Sequence, residues 1–197
     1  MNRRTMYIVA TACFLVLQLA VIGSVIVKGN LVIANGVECR FKATGYDPND
    51  PLRGRYVQFN AEVETTVIDK ALEKEWGDNN KAYFLVSETP DASGFTQVLR
   101  CAAEPSDTGV WIGPVRTTFD YSLKWGDKKE GENWEDYEKR RRQSSKSARA
   151  RLPEKFYVPE KEAPKLEERL RKEGALGVAV YRVYKGSILL TDLQVTP

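Results

Sequence analysis

The chain carries no histidine, which removes Ser-His and Cys-His catalysis and every His-based metal site at once. Of its three cysteines, Cys13 lies inside an apolar run, while Cys39 and Cys101 fall in stretches with strand character. Neither of these two has a second cysteine two to four residues away, so no zinc spacing is present. In an exported domain Cys39 and Cys101 can pair as a disulfide if their strands are neighbours; the alternative is two buried free thiols. Carboxylate chemistry has one formal candidate, Asp47 with Asp50. Each precedes a proline, which pushes both aspartates into extended or turn conformations. That placement suits turn capping, or pairing with Arg53 and Arg55, better than acid–base hydrolysis, and two carboxylates on a loop are a weak calcium signal. The reading is of no cofactor, no metal and no catalytic constellation.

Those residues belong to Tyr46–Phe59, Y-D-P-N-D-P-L-R-G-R-Y-V-Q-F. A charged, proline-braced turn feeds through Gly54 into an alternating strand. Pro48, Asp50, Leu52, Arg53, Gly54, Tyr56 and Val57 resemble the pattern of the GDYXXLXY family of membrane-anchored bacterial proteins. Arg55, Phe59 and Ala61 stand where that motif has aspartate, leucine and the second tyrosine. A second resemblance lies at Lys155–Leu170, where F-Y-V-P-E is followed by a helix containing L-E-E-R-L. The family has no established activity. The resemblance implies an exported domain on the bacterial cytoplasmic (inner) membrane, and relatives often encoded beside multi-pass membrane proteins, which makes such a protein a plausible partner. The run Pro-Leu-x-Gly-x-x-Val also faintly resembles the segment after the nucleophile of bacterial signal peptidases. Those enzymes need a serine just before it, and Gly45–Asn60 holds no serine or threonine.

The element that positions everything else is Met6–Val27, 22 residues without a charge. At 1.5 Å per residue it spans a ~30 Å hydrocarbon core and exceeds a signal-peptide apolar region. It reads as an uncleaved transmembrane helix, through which the bilayer is the first partner. Arg3 and Arg4 adjoin it on one side and only Lys28 on the other, so residues 1–5 are expected in the cytoplasm and the C-terminal domain outside it. Gln18 and the small residues Ala20, Gly23 and Ser24 are compatible with a helix–helix contact or with simple tolerance of one amide. Without Arg3 and Arg4 the chain holds 28 basic and 27 acidic residues, a balance that gives no nucleic-acid footprint.

Residues 28–197 then read as one mainly antiparallel α+β domain with one or two amphipathic helices. Asn35-Gly36 between apolar runs signals a hairpin, and Val37–Ala43 alternates as a half-buried strand. A strand is expected over Tyr56–Thr65 and a short amphipathic helix over Thr66–Trp76. Ala82–Glu88 and Phe95–Ala103 form a strand pair, and Gly109–Trp125 gives one or two strands more. Residues 126–152 change character: from Trp134 to Arg151 seven basic residues meet three acidic ones. This is expected to be a mobile, solvated and partly helical insertion, with anionic lipid headgroups as its sharper use. Phe156–Val158 is a short strand and Glu162–Glu173 a helix. A C-terminal hairpin turns at Lys185-Gly186, both of its strands expected inside a sheet.

On these grounds the domain is read as a display module for protein interaction. Asp50, Arg53, Tyr56 and Tyr157 are its candidate surface, since tyrosine and arginine dominate interface energetics. The competing class is a module for small ligands or cell-envelope fragments.

Overall fold

The computed structural model describes residues 3–45, 56–75, 81–106, 108–124, 126–159, 162–171 and 176–196. Helix α1 (Arg3–Asn35) is followed by ten strands in two antiparallel five-stranded sheets, with three short helices. The class is α+β, as the alternation patterns predict.

Helix α1 is long and apolar enough to cross a membrane, and its apolar side chains are exposed along the length of the run. It does not stop at Lys28. Gly29–Asn35 continues it by two turns, and the hairpin expected at Asn35-Gly36 is absent. The reason lies in Leu31–Ala34, an apolar run that extends the helix instead of starting a strand. Gly36 alone separates α1 from β1 (Val37–Gly45). Its amide donates to the Val32 carbonyl at 2.9 Å and its carbonyl accepts from Arg182 Nη1 at 3.1 Å. A Cβ at Gly36 would stand 2.4 Å from the Val32 oxygen, so the joint admits no side chain without shifting. Val32 is itself buried, and the end of α1 packs on β9 (Leu176–Tyr184) and β10 (Ser187–Thr196). Helix and domain are therefore joined with Gly36 as the sole connecting residue.

The first sheet has the order β10-β9-β1-β2-β8, with β2 at Tyr56–Ala61 and β8 at Lys155–Tyr157. The second runs β3-β7-β6-β4-β5: β3 Glu64–Thr65, β4 Lys81–Val86, β5 Val98–Ala102, β6 Val110–Tyr121 and β7 Ser145–Ala150. The strand expected over Tyr56–Thr65 is thus two strands in different sheets. Glu62 donates to the Lys42 carbonyl and Ala150 to the Val63 carbonyl, so the chain changes partners at residues 62–63. Beyond β3, Val67–Asp69 runs parallel to β5, with Cys101 N on the Val67 oxygen and Asp69 N on the Cys101 oxygen. Hydrogen bonding to β5 holds this stretch extended, so helix α2 (Lys70–Glu75) starts later than its apolar spacing suggests. The same pairing brings the two edges of the second sheet together and curls it toward closure, which protects its edge strands.

Inward residues of both sheets share one core. Phe41, Val57 and Phe59 meet Phe84, Ile112 and Tyr181, each fully buried. The sheets are also tied where β1 has no partner on one side: Thr96 N donates to the Arg40 carbonyl and Arg40 N to Thr96 Oγ1, both at 2.9 Å. Helix α4 (Ala163–Arg171) covers β1 and β2 with Leu166 and Leu170.

Two further expectations need correction. Residues 126–152 are not an insertion outside the core. They contain α3 (Trp134–Arg142) and β7, a strand hydrogen-bonded between β3 and β6. Ala148, Ala150 and Leu152 alternate inward against Arg149 and Arg151, a period-two signal hidden by the basic composition. Tyr137 of α3 is fully buried and its hydroxyl donates to the Lys124 carbonyl. The arginines are matched locally: Arg140 is held by Glu132 at 2.8 Å, and Arg141 and Arg142 reach Glu138. The C-terminal hairpin, in turn, has β9 inside the sheet but β10 at its edge.

Candidate functional site

The motif strand β2 separates two faces by simple alternation. Val57, Phe59 and Ala61 enter the core, while Tyr56, Gln58 and Asn60 share the other face. Strand β8 pairs with β2 in the register Tyr56↔Tyr157, Val57↔Phe156 and Gln58↔Lys155. Directly opposite residues lie on one face, so Tyr157 and Lys155 join Tyr56 and Gln58. The two tyrosine rings stand 5.9 Å apart between centroids, tilted by 58°. Lys155 Nζ lies 4.5 Å from the centre of the Tyr56 ring, within cation–π range. Tyr56 is 8% exposed and Tyr157 70%: one ring is a floor and the other projects outward.

Along the same face lies a polar cleft of about 340 Å³, lined by Gln58, Asn60, Thr118, Arg149, Arg151 and Glu154. Its walls come from both sheets. Phe59 N donates to the Glu154 carbonyl at 3.1 Å, and Arg151 N to the Arg116 carbonyl at 2.8 Å, which fixes the chain between β7 and β8 across the gap. Tyr181 supports this chain from below, its buried hydroxyl donating to the Pro153 carbonyl at 2.8 Å. Arg149 bonds Glu64 at 2.8 Å. Hydrogen bonding to Ser147 first, and to Arg149 next, holds the Glu64 carboxyl below its usual range. Burial pushes the Glu154 carboxyl upward, opposed by the charge of Arg151. Guanidinium and amide groups hydrogen-bond anions, and aromatic rings stack on planar groups.

The residues predicted from sequence fare differently. Tyr56 and Tyr157 are register partners. Asp50 and Arg53, together with Asp47 and Arg55, lie outside the described residues. Lys155, Gln58, Asn60, Arg149 and Arg151 were not singled out in the sequence, although the alternation of residues 148–152 places both arginines on one face. Cys39 and Cys101 are separate buried thiols, not a disulfide. Cys39 sits on β1 of the first sheet and Cys101 on β5 of the second. Burial pushes the Cys39 thiol up to about 11 and the Cys101 thiol up to about 12. Among the described residues no group of three or more His, Cys, Asp or Glu could hold a metal ion.

Fold and face together define a class: an N-terminal apolar helix leading directly into a two-sheet α+β domain whose strands β2 and β8 share an aromatic, cationic face. The family model described as "GDYXXLXY protein" matches residues 18–193, and the chain belongs to that family. No curated protein and no solved structure matches it.

Proposed function

We propose that this is a single-pass protein of the bacterial cytoplasmic membrane, displaying a non-catalytic interaction domain outside the cytoplasm as an accessory to a multi-pass membrane protein. The observation that carries the reading is the union of two features. A helix with an uncharged run of membrane-spanning length enters the domain through one residue, Gly36. The motif strand β2 of that same domain and its partner β8 bring Tyr56, Tyr157 and Lys155 together on the face turned away from the core. A connection of one residue keeps the domain close to its helix and favours a partner at a matching height, as a neighbouring membrane protein is. Exposed tyrosine beside a cation is the composition of an interface anchor.

The test has two parts. A reporter active only in the periplasm, fused after Pro197, is expected to be active; activity of a cytoplasm-only reporter overturns the topology. A photocrosslinking side chain at position 157 is expected to capture a membrane protein in native membranes, and Arg53→Ala to weaken that capture while the domain stays folded. Unchanged capture by Arg53→Ala assigns that arginine to the loop's own backbone. The cleft beside Arg149 and Arg151 favours a second reading, an extracytoplasmic module for anionic small ligands or cell-envelope fragments. Small-molecule adducts in place of a protein adduct would select it.

A further inference from the structure

We propose that the polar cleft beside the motif strand holds a short, uncharged stretch of glycan whose far end lies against Tyr157. The inference deepens the second reading above, of this cleft as a module for cell-envelope fragments, and rests on it. The cleft measures about 340 Å³, at the small end of the range for ligand sites. Phe59 and Ala150 send their side chains into the core and give the cleft their backbones as a floor. Gln58 and Asn60 rise from β2, Thr118 from β6, and Arg149 from β7, with Arg151 just beyond its end. Glu154 closes the ring from the chain that leads into β8.

The bonding state of these groups selects the ligand. Arg149 is committed to Glu64 at 2.8 Å, and Thr118 Oγ1 donates to the Arg149 carbonyl at 3.5 Å. Among the described residues, the side chains of Gln58, Asn60, Arg151 and Glu154 make no hydrogen bond. Arg151 acts on Glu154 by charge alone. The open groups are thus two amides that both donate and accept, a guanidinium that only donates and a carboxylate that only accepts. Charges lining the cleft cancel among the described residues, Arg149 against Glu64 and Arg151 against Glu154. An anion drawn to Arg151 is opposed by the half-buried Glu154, and a cation meets the reverse. A hydroxyl donates and accepts at one atom. A row of hydroxyls therefore satisfies all four groups and brings no charge that must be stripped of water.

The aromatic pair adds a second surface on the same face. Gln58 lines the cleft, and Tyr56 stands two residues before it on β2, ~7 Å along the strand. Tyr157 lies opposite Tyr56 and is 70% exposed, so its ring is open to a ligand that extends out of the cleft. Lys155 stands between them with its ammonium over the Tyr56 ring, outside the cleft lining. A sugar ring carries hydroxyls on its rim and C–H groups on its faces, so one unit can fill the hydrogen-bonding cleft while the next lays its apolar face on Tyr157. A single amino acid is too short to use both surfaces.

The test is NMR of the full chain in nanodiscs, read at the side-chain amides of Gln58 and Asn60 and at the ring of Tyr157. Three probes are titrated: chitotetraose, which is uncharged, trigalacturonate, which is anionic, and the zwitterionic dipeptide alanylalanine. Chitotetraose is expected to shift all three signals, with an affinity that changes less than about twofold from about 0.05 to about 0.5 M salt, since no ion pair is screened. Glu154→Gln is expected to weaken it about fivefold, a charged acceptor being traded for a neutral one. Tyr157→Ala is expected to weaken it about fivefold through lost stacking. Chitotetraose binding that Glu154→Gln leaves unchanged overturns the assignment to this cleft. Preference for trigalacturonate, weakened by salt and strengthened by Glu154→Gln, overturns the uncharged ligand and leaves the second reading standing. Preference for the dipeptide overturns it in the same way, in favour of a zwitterion. No response to any of the three overturns the inference and the second reading together, and leaves the protein partner.

Discussion

Removing one oxygen, in Tyr181→Phe, tests how the face shared by β2 and β8 is supported. Tyr181 is fully buried on β9, with its ring 6.0 Å from that of Phe41. Its hydroxyl reaches the carbonyl of Pro153, two residues before the first residue of β8. The phenylalanine variant keeps the ring and loses only the hydrogen bond. A net protein hydrogen bond is worth about 1 kcal/mol, with a larger penalty when the abandoned partner stays buried. The bond is only part-buried, so about 1 kcal/mol applies. For a domain of this size that is a fall of about 2–4 °C in Tm. Tyr181→Ala also deletes the ring from the core and is expected to cost about 3–5 kcal/mol. The assay is thermal unfolding in detergent, joined to amide exchange at Phe59, whose N–H bonds the Glu154 carbonyl beside Pro153. In Tyr181→Phe that amide is expected to exchange up to about fivefold faster, the equivalent of 1 kcal/mol. A Tm within 1 °C of wild type and an unchanged Phe59 amide would refute the idea that Tyr181 holds the chain before β8 in place. A loss as large as that of Tyr181→Ala would refute the magnitude argument.

Two further outcomes are expected. With thiols pushed to about 11 and about 12 from an ordinary value near 9, Cys39 and Cys101 should alkylate at least about a hundredfold more slowly in the folded chain near pH 8 than after denaturation; denaturation without reductant should then expose all three thiols, and capture of Cys13 alone would restore the disulfide. Glu132 accepts from Arg140 Nε and Nη2 and from Lys129 N, which holds its carboxyl down to about 2. Because the folded value is depressed, this contribution is complete above about pH 4.5 and is lost as pH falls through about 2. Emission of Trp134, edge-on to Tyr137, should report that loss, and Glu132→Gln should flatten the transition between those limits; an unchanged transition would dissociate Glu132 from α3.

What the sequence determined by itself were properties that local chemistry decides. Twenty-two uncharged residues make a helix of membrane-spanning length, whatever follows them. Alternation at Val37–Ala43 names a strand and its buried face, apolar patterning marks strand over Tyr56–Thr65 and along the C-terminal hairpin, and the motif residues identify the family. Tertiary structure decided which strands meet. Tyr56 opposite Tyr157 joins residues 101 positions apart, a register set by packing of Val57 and Phe156 on the core. The split of one expected strand into β2 and β3 depends on where Lys42 and Ala150 offer partners to the chain between them. Gly29–Asn35 reads equally as strand or helix until Val32 finds a place against β9 and β10. β7 was hidden because Lys146 and Arg149 on its outer face outweigh the small alanines on its inner one, and a strand with so little apolar volume becomes legible only when a closing sheet supplies its neighbours. Cys39 and Cys101, on different sheets, are both buried free thiols; pairing requires two particular Cβ atoms to converge, which spacing along the sequence does not decide.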